Sequence, residues 1–242
     1  MLKIEKISKS FNNKIIIRQL SLNVAKGERI CIIGPSGCGK STILKCILNL
    51  LTPETGKIFF EGTCISELQG QALQQVRSRI GLLFQHSALF DSLTVKENVA
   101  FSLLESNTPP PQKTIDHLVE KNLNLVGMLG FENAMPADLS GGQKKRIGLA
   151  RALTENPKIM LFDEPTTGLD PVLSRSIENL IVKLSRSLNM TTIVVTHQFS
   201  TMLRTADKIY FMHNGILLAP ESPESIQKSK NEIIRRFING ET

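Results

Sequence analysis

The fold of this chain is decided by Gly34-Pro35-Ser36-Gly37-Cys38-Gly39-Lys40-Ser41-Thr42, a glycine-rich stretch that ends in a lysine and two hydroxyl residues. It follows an apolar run, Glu28 to Ile33, that is typical of a buried strand, and it leads into helical spacing from Lys40 to Leu51. Strand, loop and helix in this order form the context of a phosphate loop, whose backbone N–H groups surround a polyphosphate. Its lysine reaches the terminal phosphates and its serine holds magnesium. A glycine-rich turn that merely capped a helix would not explain the offsets of Lys40 and Ser41.

A pair of carboxylates marks a second element. The apolar strand Ile159-Met160-Leu161-Phe162 ends in Asp163 and Glu164. This arrangement suits an acid that orients magnesium, Asp163, followed by a general base, Glu164, and such a base contributes roughly 10²–10⁴-fold in rate. Solvated carboxylates at a strand end are common, but Pro165 and the phosphate loop upstream favour the catalytic interpretation.

A further glycine-rich element lies between these two. It reads Leu139-Ser140-Gly141-Gly142-Gln143 and precedes a helical segment, Arg146 to Arg151. Ser140 and the glycines could form no more than the capped start of that helix. A simple phosphate-loop enzyme, however, has no need of a second anion cradle. The three elements in this order resemble the ATP-binding cassette (ABC) family of ATPases, and the resemblance covers nearly the whole chain.

The resemblance implies roles for further residues. In the family, the Ser140 segment contacts the γ-phosphate of ATP held by the opposite subunit, which implies a head-to-tail homodimer around two nucleotides. Phe11 resembles the aromatic residue that stacks on adenine, with a core phenylalanine as the alternative. Gln85 resembles the glutamine that touches magnesium, Asp170 the aspartate that crosses the dimer interface, and His197 the histidine that contacts the γ-phosphate. The implied catalytic residues are Lys40, Gln85, Glu164 and His197, and the implied magnesium ligands are Ser41, Gln85 and Asp163.

The rest of the sequence predicts an α/β fold. The resemblance implies a P-loop NTPase core of ABC type, with an N-terminal antiparallel β subdomain and an inserted α-helical subdomain, in a single nucleotide-binding domain of residues 1–242. We expect the helical subdomain at about 87–157, where helices Val95–Glu105 and Thr114–Met128 flank a proline-rich loop, Ser106–Pro111. A helical tail is expected at about 223–242, in two pieces, the second of which carries Lys230, Arg235 and Arg236.

Periodicity and turn residues place the other elements. Asp170 and Pro171 predict the start of a helix from Pro171 to Leu188, and Asn214-Gly215 predicts a hairpin turn. The buried stripe of that helix is predicted to comprise Leu173, Ile177, Leu180, Ile181, Leu184 and Leu188. The predicted strands are Leu2–Ile7, Ile15–Ile17, Ile80–Phe84, Thr191–Thr196, Ile209–Met212 and Ile216–Leu218.

Composition limits the possible partners and compartments. With 29 Lys and Arg against 22 Asp and Glu, the net charge is +7, which favours anionic partners without choosing among them. The four cysteines form no C-x-x-C pair and have no histidine cluster nearby, so we expect reduced thiols. No run approaches the ~18 apolar residues of a membrane span. We therefore expect a cytoplasmic chain, and the resemblance to ABC transporter ATPases implies that it lies peripherally on the cytoplasmic face of the inner membrane.

Residues outside the catalytic motifs resemble one ABC subfamily, the Mla-type phospholipid-transport ATPases. The resemblance lies in Leu83–Val95, Glu97–Phe101, Met135–Gly142, Lys144–Arg146 and the ending Arg235–Glu241. It implies phospholipid transport between bacterial membranes, with an integral-membrane permease and a lipid carrier of the MCE (mammalian cell entry) type as partners, and no nucleic acid. Gln143 departs from this pattern, since many members carry methionine there.

Two alternatives stay open at this point. Polar amino-acid importers share much of the Leu89–Val95 pattern, and an iron–sulfur assembly ATPase would also contain a single cassette. Leu89, Phe90, Leu93 and Val95 are in addition too apolar for a fully exposed loop. Either they pack under the helical subdomain, or they line a groove that receives a coupling helix from a permease.

Overall fold

Two β-sheets form the framework of the computed structural model, which describes residues 1–106 and 108–241. The strands are β1 (Leu2–Phe11), β2 (Lys14–Val24), β3 (Arg29–Ile33), β4 (Thr55–Phe60), β5 (Thr63–Cys64), β6 (Ile80–Leu83), β7 (Ile159–Asp163), β8 (Thr191–Thr196), β9 (Lys208–His213) and β10 (Ile216–Leu217). The helices are α1 (Lys40–Ile47), α2 (Gly70–Arg77), α3 (Val95–Leu104), α4 (Gln112–Val126), α5 (Gly141–Leu153), α6 (Pro171–Ser187), α7 (Phe199–Thr205), α8 (Pro223–Ile226) and α9 (Glu232–Ile238). Short 3₁₀ turns occur at Ile65–Glu67 and Pro136–Asp138.

The larger sheet has the strand order β10-β9-β3-β8-β7-β6. All its strands run parallel except β10, which pairs antiparallel with β9. Strands of a parallel sheet are covered on both faces and read as continuous apolar runs, and β8 is buried at every position. Ile33 pairs with Thr196, and Asp163 pairs with Val195. The segments that follow β3, β7 and β8 therefore emerge side by side at one edge of the sheet.

The smaller sheet is antiparallel, with the order β2-β1-β4-β5. It contains the two predicted N-terminal strands, which are longer than predicted because β1 continues to Phe11 and β2 to Val24. It also contains β4 and β5, which sequence reasoning left unassigned. Ile58 and Phe60 of β4 are buried in the core between the two sheets, together with Ile30 and Ile32 of β3. The alternate residues of β3, Cys31 among them, point into a second core under the helices. The central sheet thus separates two apolar cores.

Helices α3, α4 and α5 pack against one another beside the larger sheet. This packing supports our proposal of a helical subdomain at about 87–157. Thr94 and Glu97 form a capping box at the start of α3, and α4 ends at Gly127, whose φ is 68°. The predicted proline-rich loop includes Asn107, which lies outside the described residues, as does Thr242 in the predicted tail.

Several predicted boundaries are wrong. The helix after the phosphate loop ends at Ile47 rather than Leu51, because Asn49 takes a left-handed φ of 49°. The buried stripe of α6 excludes Leu173 and Leu188, which lie at its two ends and are 37% and 41% exposed. Lys230 lies before α9, whose N-cap is Asn231. Strand β6 ends one residue early, at Leu83, and the ends of α3, α4 and α6 differ by one or two residues.

The prediction of reduced thiols, with Cys31 and Cys46 buried, is confirmed. Cys31 and Cys46 are buried, and the thiols at positions 31, 38, 46 and 64 are free. Within residues 1–106 and 108–241, no helix combines the length and apolar character that crossing a membrane requires.

Candidate nucleotide-binding site

The phosphate loop joins β3 to α1 and depends on glycine. Gly39 is the N-cap of α1 and has a φ of 111°, which L-residues rarely adopt. A Cβ at Gly34 would lie 2.5 Å from the backbone oxygen of Met212, closer than atoms can approach. The loop therefore lies against β9 and leaves the N–H groups of the first turn of α1 without helical partners, as an anion site requires.

Lys40 is folded onto its own loop. Its Nζ donates to the backbone oxygens of Gly34 (2.9 Å) and Pro35 (3.0 Å) and lies 3.9 Å from Glu164 Oε1. The side chain is buried. A buried ammonium is retained only where acceptors compensate its desolvation. Phosphate oxygens at this point would take the place of those acceptors and carry a full opposite charge.

Ser41 and Asp163 bring two oxygen atoms together beside the loop. Ser41 Oγ donates to Asp163 Oδ1 at 2.7 Å. Burial raises the pKa of Asp163 above its usual value, while the Ser41 hydrogen bond lowers it and the charge of Glu164 raises it further. A carboxylate in this situation is stabilised by a cation, and oxygen ligands of this kind suit Mg²⁺.

Glu164 is the most constrained side chain of the site. Its backbone has a left-handed φ of 47°, and the residue is buried. Oε2 accepts from Thr196 Oγ1 (3.0 Å) and Thr167 Oγ1 (3.1 Å), while Oε1 lies 2.9 Å from His197 Nδ1. The carboxylate is thus held in one orientation from three sides. A strained backbone that surrounding contacts maintain is typical of functional positions.

The structure brings five predicted residues together in two bonded sets that adjoin along the chain: Ser41 with Asp163, and Lys40 and His197 with Glu164. Sequence reasoning missed Thr167 and Thr196. Thr196 was recognised only as the end of a β-branched strand, and its hydroxyl contact crosses from β8 to the loop after β7. Thr167 is close to Glu164 in sequence, so its spacing was a usable signal.

Three further predicted residues, Phe11, Gln85 and Asp170, are not among the side chains bonded in this group. Phe11 ends β1, is 41% exposed and has the Lys9 ammonium 5.6 Å from its ring centre, so the alternative of a core phenylalanine is wrong. Gln85 follows β6 and is half-buried. Asp170 Oδ1 accepts from the backbone N–H groups of Val172 and Leu173, both at 2.9 Å, which confirms it as a helix cap.

Ser140 caps α5 in the manner that the alternative interpretation predicted. Gln143 N donates to Ser140 Oγ at 3.3 Å, and Ser140 N donates to Gln143 Oε1 at 2.8 Å. Such a capping box fixes the first turn of the helix. The cap and the anion cradle are compatible, because the box orients the N–H groups that an anion would meet.

A cavity of about 770 Å³ adjoins the site. Pro35, Ser36 and His197 line one side, and Phe211 and Phe237 line another. The ring of Phe237, in α9, meets Phe211 edge-on at 5.1 Å. The second helix of the tail therefore packs close to the phosphate loop, a placement that sequence reasoning did not predict.

Comparison with known proteins gives the family. Residues 17–167 match the family model described as ABC transporter. The chain is 38% identical to the intermembrane phospholipid transport system ATP-binding protein MlaF of Haemophilus influenzae, over 100% of this chain and 91% of that protein. It is 36% identical to the methionine import ATP-binding protein MetN of Geobacillus kaustophilus, over 97% of this chain and 69% of that protein.

The fold agrees with that of a solved cassette. The dimeric structure of the ATP-binding cassette MJ0796, in a post-hydrolysis state bound to ADP and Pi, superposes with a TM-score of 0.84 at 30% identity. The match covers 92% of this chain and 99% of that chain. Since family model, relatives and fold agree over most of its length, the chain belongs to the ABC transporter family and is an ATP-hydrolysing subunit.

Proposed function

We propose that this chain drives phospholipid transport between bacterial membranes as the ATPase of a complex with an integral-membrane permease and an MCE-type lipid carrier. The observation that carries this proposal is the similarity to MlaF over the full chain, which includes segments outside the catalytic motifs. An importer of methionine or another polar amino acid is the alternative, because MetN is almost as similar.

In the proposed site, Gly34–Thr42 surrounds the phosphates and Lys40 meets the terminal ones. Mg²⁺ would be held by Ser41, Asp163 and Gln85 together with phosphate oxygens, and when bound it neutralises the charge of the phosphates. Among the residues described, no three His, Cys, Asp or Glu side chains gather at one point. This suits Mg²⁺, which commonly binds through one or two carboxylates and its substrate's phosphates.

Glu164 is proposed as the general base. Its Oε1 takes the proton of the attacking water, while Oε2 stays bonded to Thr196 and Thr167. His197 lies against Oε1 and is 42% exposed at its side chain, so it borders both the base and the space above the phosphate loop. We propose that it contacts the γ-phosphate from there.

We further propose a head-to-tail homodimer in which Ser140, Gly141, Gly142 and Gln143 cover the ATP of the other copy. Asp170 and the adjacent apolar side chains would lie at the same interface. Val172 is 78% exposed in the first turn of α6, beside the half-exposed Leu173. Apolar side chains at such a position favour contact with another protein surface. The dimeric cassette MJ0796 supports this arrangement, while stacking of Phe11 on adenine remains a prediction.

Fewer residues are available for a permease contact than the sequence suggested. Val95 is buried and belongs to the core, whereas Leu89 and Leu93 are half-buried. Phe90 is 41% exposed, with its ring 4.3 Å from that of Phe101. We propose Phe90, flanked by Leu89 and Leu93, as the permease contact, which would place the chain at the cytoplasmic face of the inner membrane.

The transported class is tested by isolating the membrane protein that co-purifies with the tagged chain and reconstituting both in proteoliposomes. We expect ATP hydrolysis to rise with added phospholipid and carrier, and to be unaffected by methionine. Stimulation by methionine alone would support the importer. Co-purification of a non-membrane scaffold protein in place of a permease would contradict the transport proposal.

A further inference from the structure

Helix α5 contains a buried lysine, Lys145, that the proposed chemistry does not use. Its side chain is only 4% exposed, whereas its neighbour Lys144 is half-buried. Lysine is rarely buried to this extent without partners, because its ammonium loses its hydration. The burial lowers the pKa of Lys145 to about 8, while the charges of Asp163 and Glu164 act in the opposite direction.

The partners of Lys145 are backbone oxygens of two proposed site residues. Its Nζ donates to the oxygen of Gln85 and, at 3.4 Å, to the oxygen of Glu164. These residues follow β6 and β7, which are adjacent in the sheet and pair Leu83 with Phe162. One ammonium from α5 therefore joins the ends of two neighbouring strands.

The Glu164 carbonyl is the more consequential of the two acceptors. It belongs to the residue whose φ is left-handed, and it also accepts from Thr167 N at 3.3 Å. On its other side, Glu164 N donates to the oxygen of Val195 at 2.9 Å. The peptide groups on both sides of the strained residue are thus bonded, and Lys145 provides a bond that originates in another helix.

We propose that Lys145 is a positioning residue for ATP hydrolysis. It ties the backbone of Glu164 and Gln85 to α5, the helix whose first turn carries Ser140, Gly141 and Gly142. The orientation of the base then depends on the position of α5. This inference rests on the proposed role of Glu164 as the base, and it gives Lys145 no contact with the nucleotide.

The test compares Lys145→Met with Lys145→Arg in the full chain. Methionine fills a similar volume without donors, whereas arginine keeps the charge and the donors but crowds the site. We expect Lys145→Met to lower kcat roughly 10- to 100-fold, as small misplacements of catalytic groups do, with the KM for ATP nearly unchanged. Lys145→Arg should recover most of kcat, even where its melting temperature is the lower of the two.

The matched control is Lys144→Met, on the same helix, which should keep wild-type turnover. The inference is overturned if kcat follows melting temperature across the variants, since that would indicate a purely structural lysine. It is also overturned if Lys145→Met turns over like wild type while Glu164→Gln is inactive. A fully active Glu164→Gln would instead refute the assignment of the base, which separates the two failures. If Lys145→Met does not fold, Lys145→Leu, which also lacks donors, takes its place, and a wild-type kcat of that folded variant would overturn the inference.

Discussion

The edge of the parallel sheet and the first turn of α5 are both proposed to bind phosphate. They differ in the residues with which their polar groups bond. At the sheet edge, Lys40 lies against Glu164 and Ser41 bonds the adjacent Asp163, all within a single chain. At α5, the hydrogen bonds of Ser140 close on Gln143 of the same helix. The first region therefore gathers most of the proposed ligands of one nucleotide, whereas the second is, in our proposal, a half-site that serves the nucleotide of the other copy. The comparison teaches that, if the proposal holds, one chain contains both halves of a site without joining them.

The largest loss of ATP hydrolysis is expected for substitution of Glu164, the proposed general base at the sheet edge. Glu164→Gln keeps the size of the side chain and removes the base, so hydrolysis should fall roughly 10²–10⁴-fold, or ~3–5 kcal/mol in barrier. ATP should then hold a closed dimer that gel filtration detects. Glu155→Gln, on an exposed loop, is the control. Near-normal turnover of Glu164→Gln would refute the proposal that Glu164 is the general base.

Lys40→Ala tests the phosphate-binding part of the same region. Losing the ammonium removes a charged partner of the terminal phosphates, and we expect turnover to fall roughly 10²–10³-fold, as when a preorganised charge-stabilising group is deleted. Lys26→Ala, exposed in the turn before β3, should behave like wild type in a steady-state ATPase assay. Unchanged hydrolysis by Lys40→Ala would show that the site assignment is wrong.

Ser140→Ala examines the half-site. The hydroxyl caps α5, which contributes ~1 kcal/mol to stability, and in the dimer it would bond a charged phosphate, worth about 1.5–3 kcal/mol. We expect hydrolysis to fall roughly 10- to 100-fold with only a small decrease in melting temperature. The controls are ATP affinity of the monomer, which should not change, and the melting curve.

The two-copy arrangement has a more direct measurement. A photoreactive γ-phosphate analogue of ATP, bound to a mixture of tagged and untagged chains, should label the Ser140 segment of the chain that does not supply Lys40. Labelling confined to the chain that supplies Lys40 would mean that the two regions meet within one copy, contrary to the comparison above.

The smallest effect is expected at Phe90, outside both regions. Phe90→Ser should weaken assembly with the permease by about tenfold or less, because only the exposed 41% of the residue is left to bury on docking. That part contributes roughly 0.6–1.2 kcal/mol of the ~1.5–3 kcal/mol of complete burial, and tenfold in affinity corresponds to ~1.4 kcal/mol. ATP binding by the isolated subunit should be spared. Leu188→Ser, equally exposed at 41%, is the control; an early melt of Phe90→Ser without any partner would assign the residue to the fold.

Local features of the site could be predicted from the sequence because neighbouring residues fix them. The phosphate loop, the Asp170 cap and the start of α6 each depend on a few contiguous residues and their backbone geometry. Strand β8 was placed at its observed bounds, Thr191–Thr196, from β-branched residues alone. Strand β4 was not predicted, because Thr55–Phe60 combines one glycine and one lysine with a short apolar run, which is a weak signal for a strand.

What the sequence determined by itself is the identity of the phosphate-binding and acidic segments, since their spacing within a few residues already specifies the bonds they can make. Only the tertiary structure decided which distant groups surround Glu164 and which of two adjacent lysines is buried. Lys144 and Lys145 are indistinguishable in the sequence, yet only Lys145 points at the ends of β6 and β7. Contacts of this kind arise from the order of strands in the sheet and the packing of α5 against it, and both depend on the whole chain rather than on neighbouring residues.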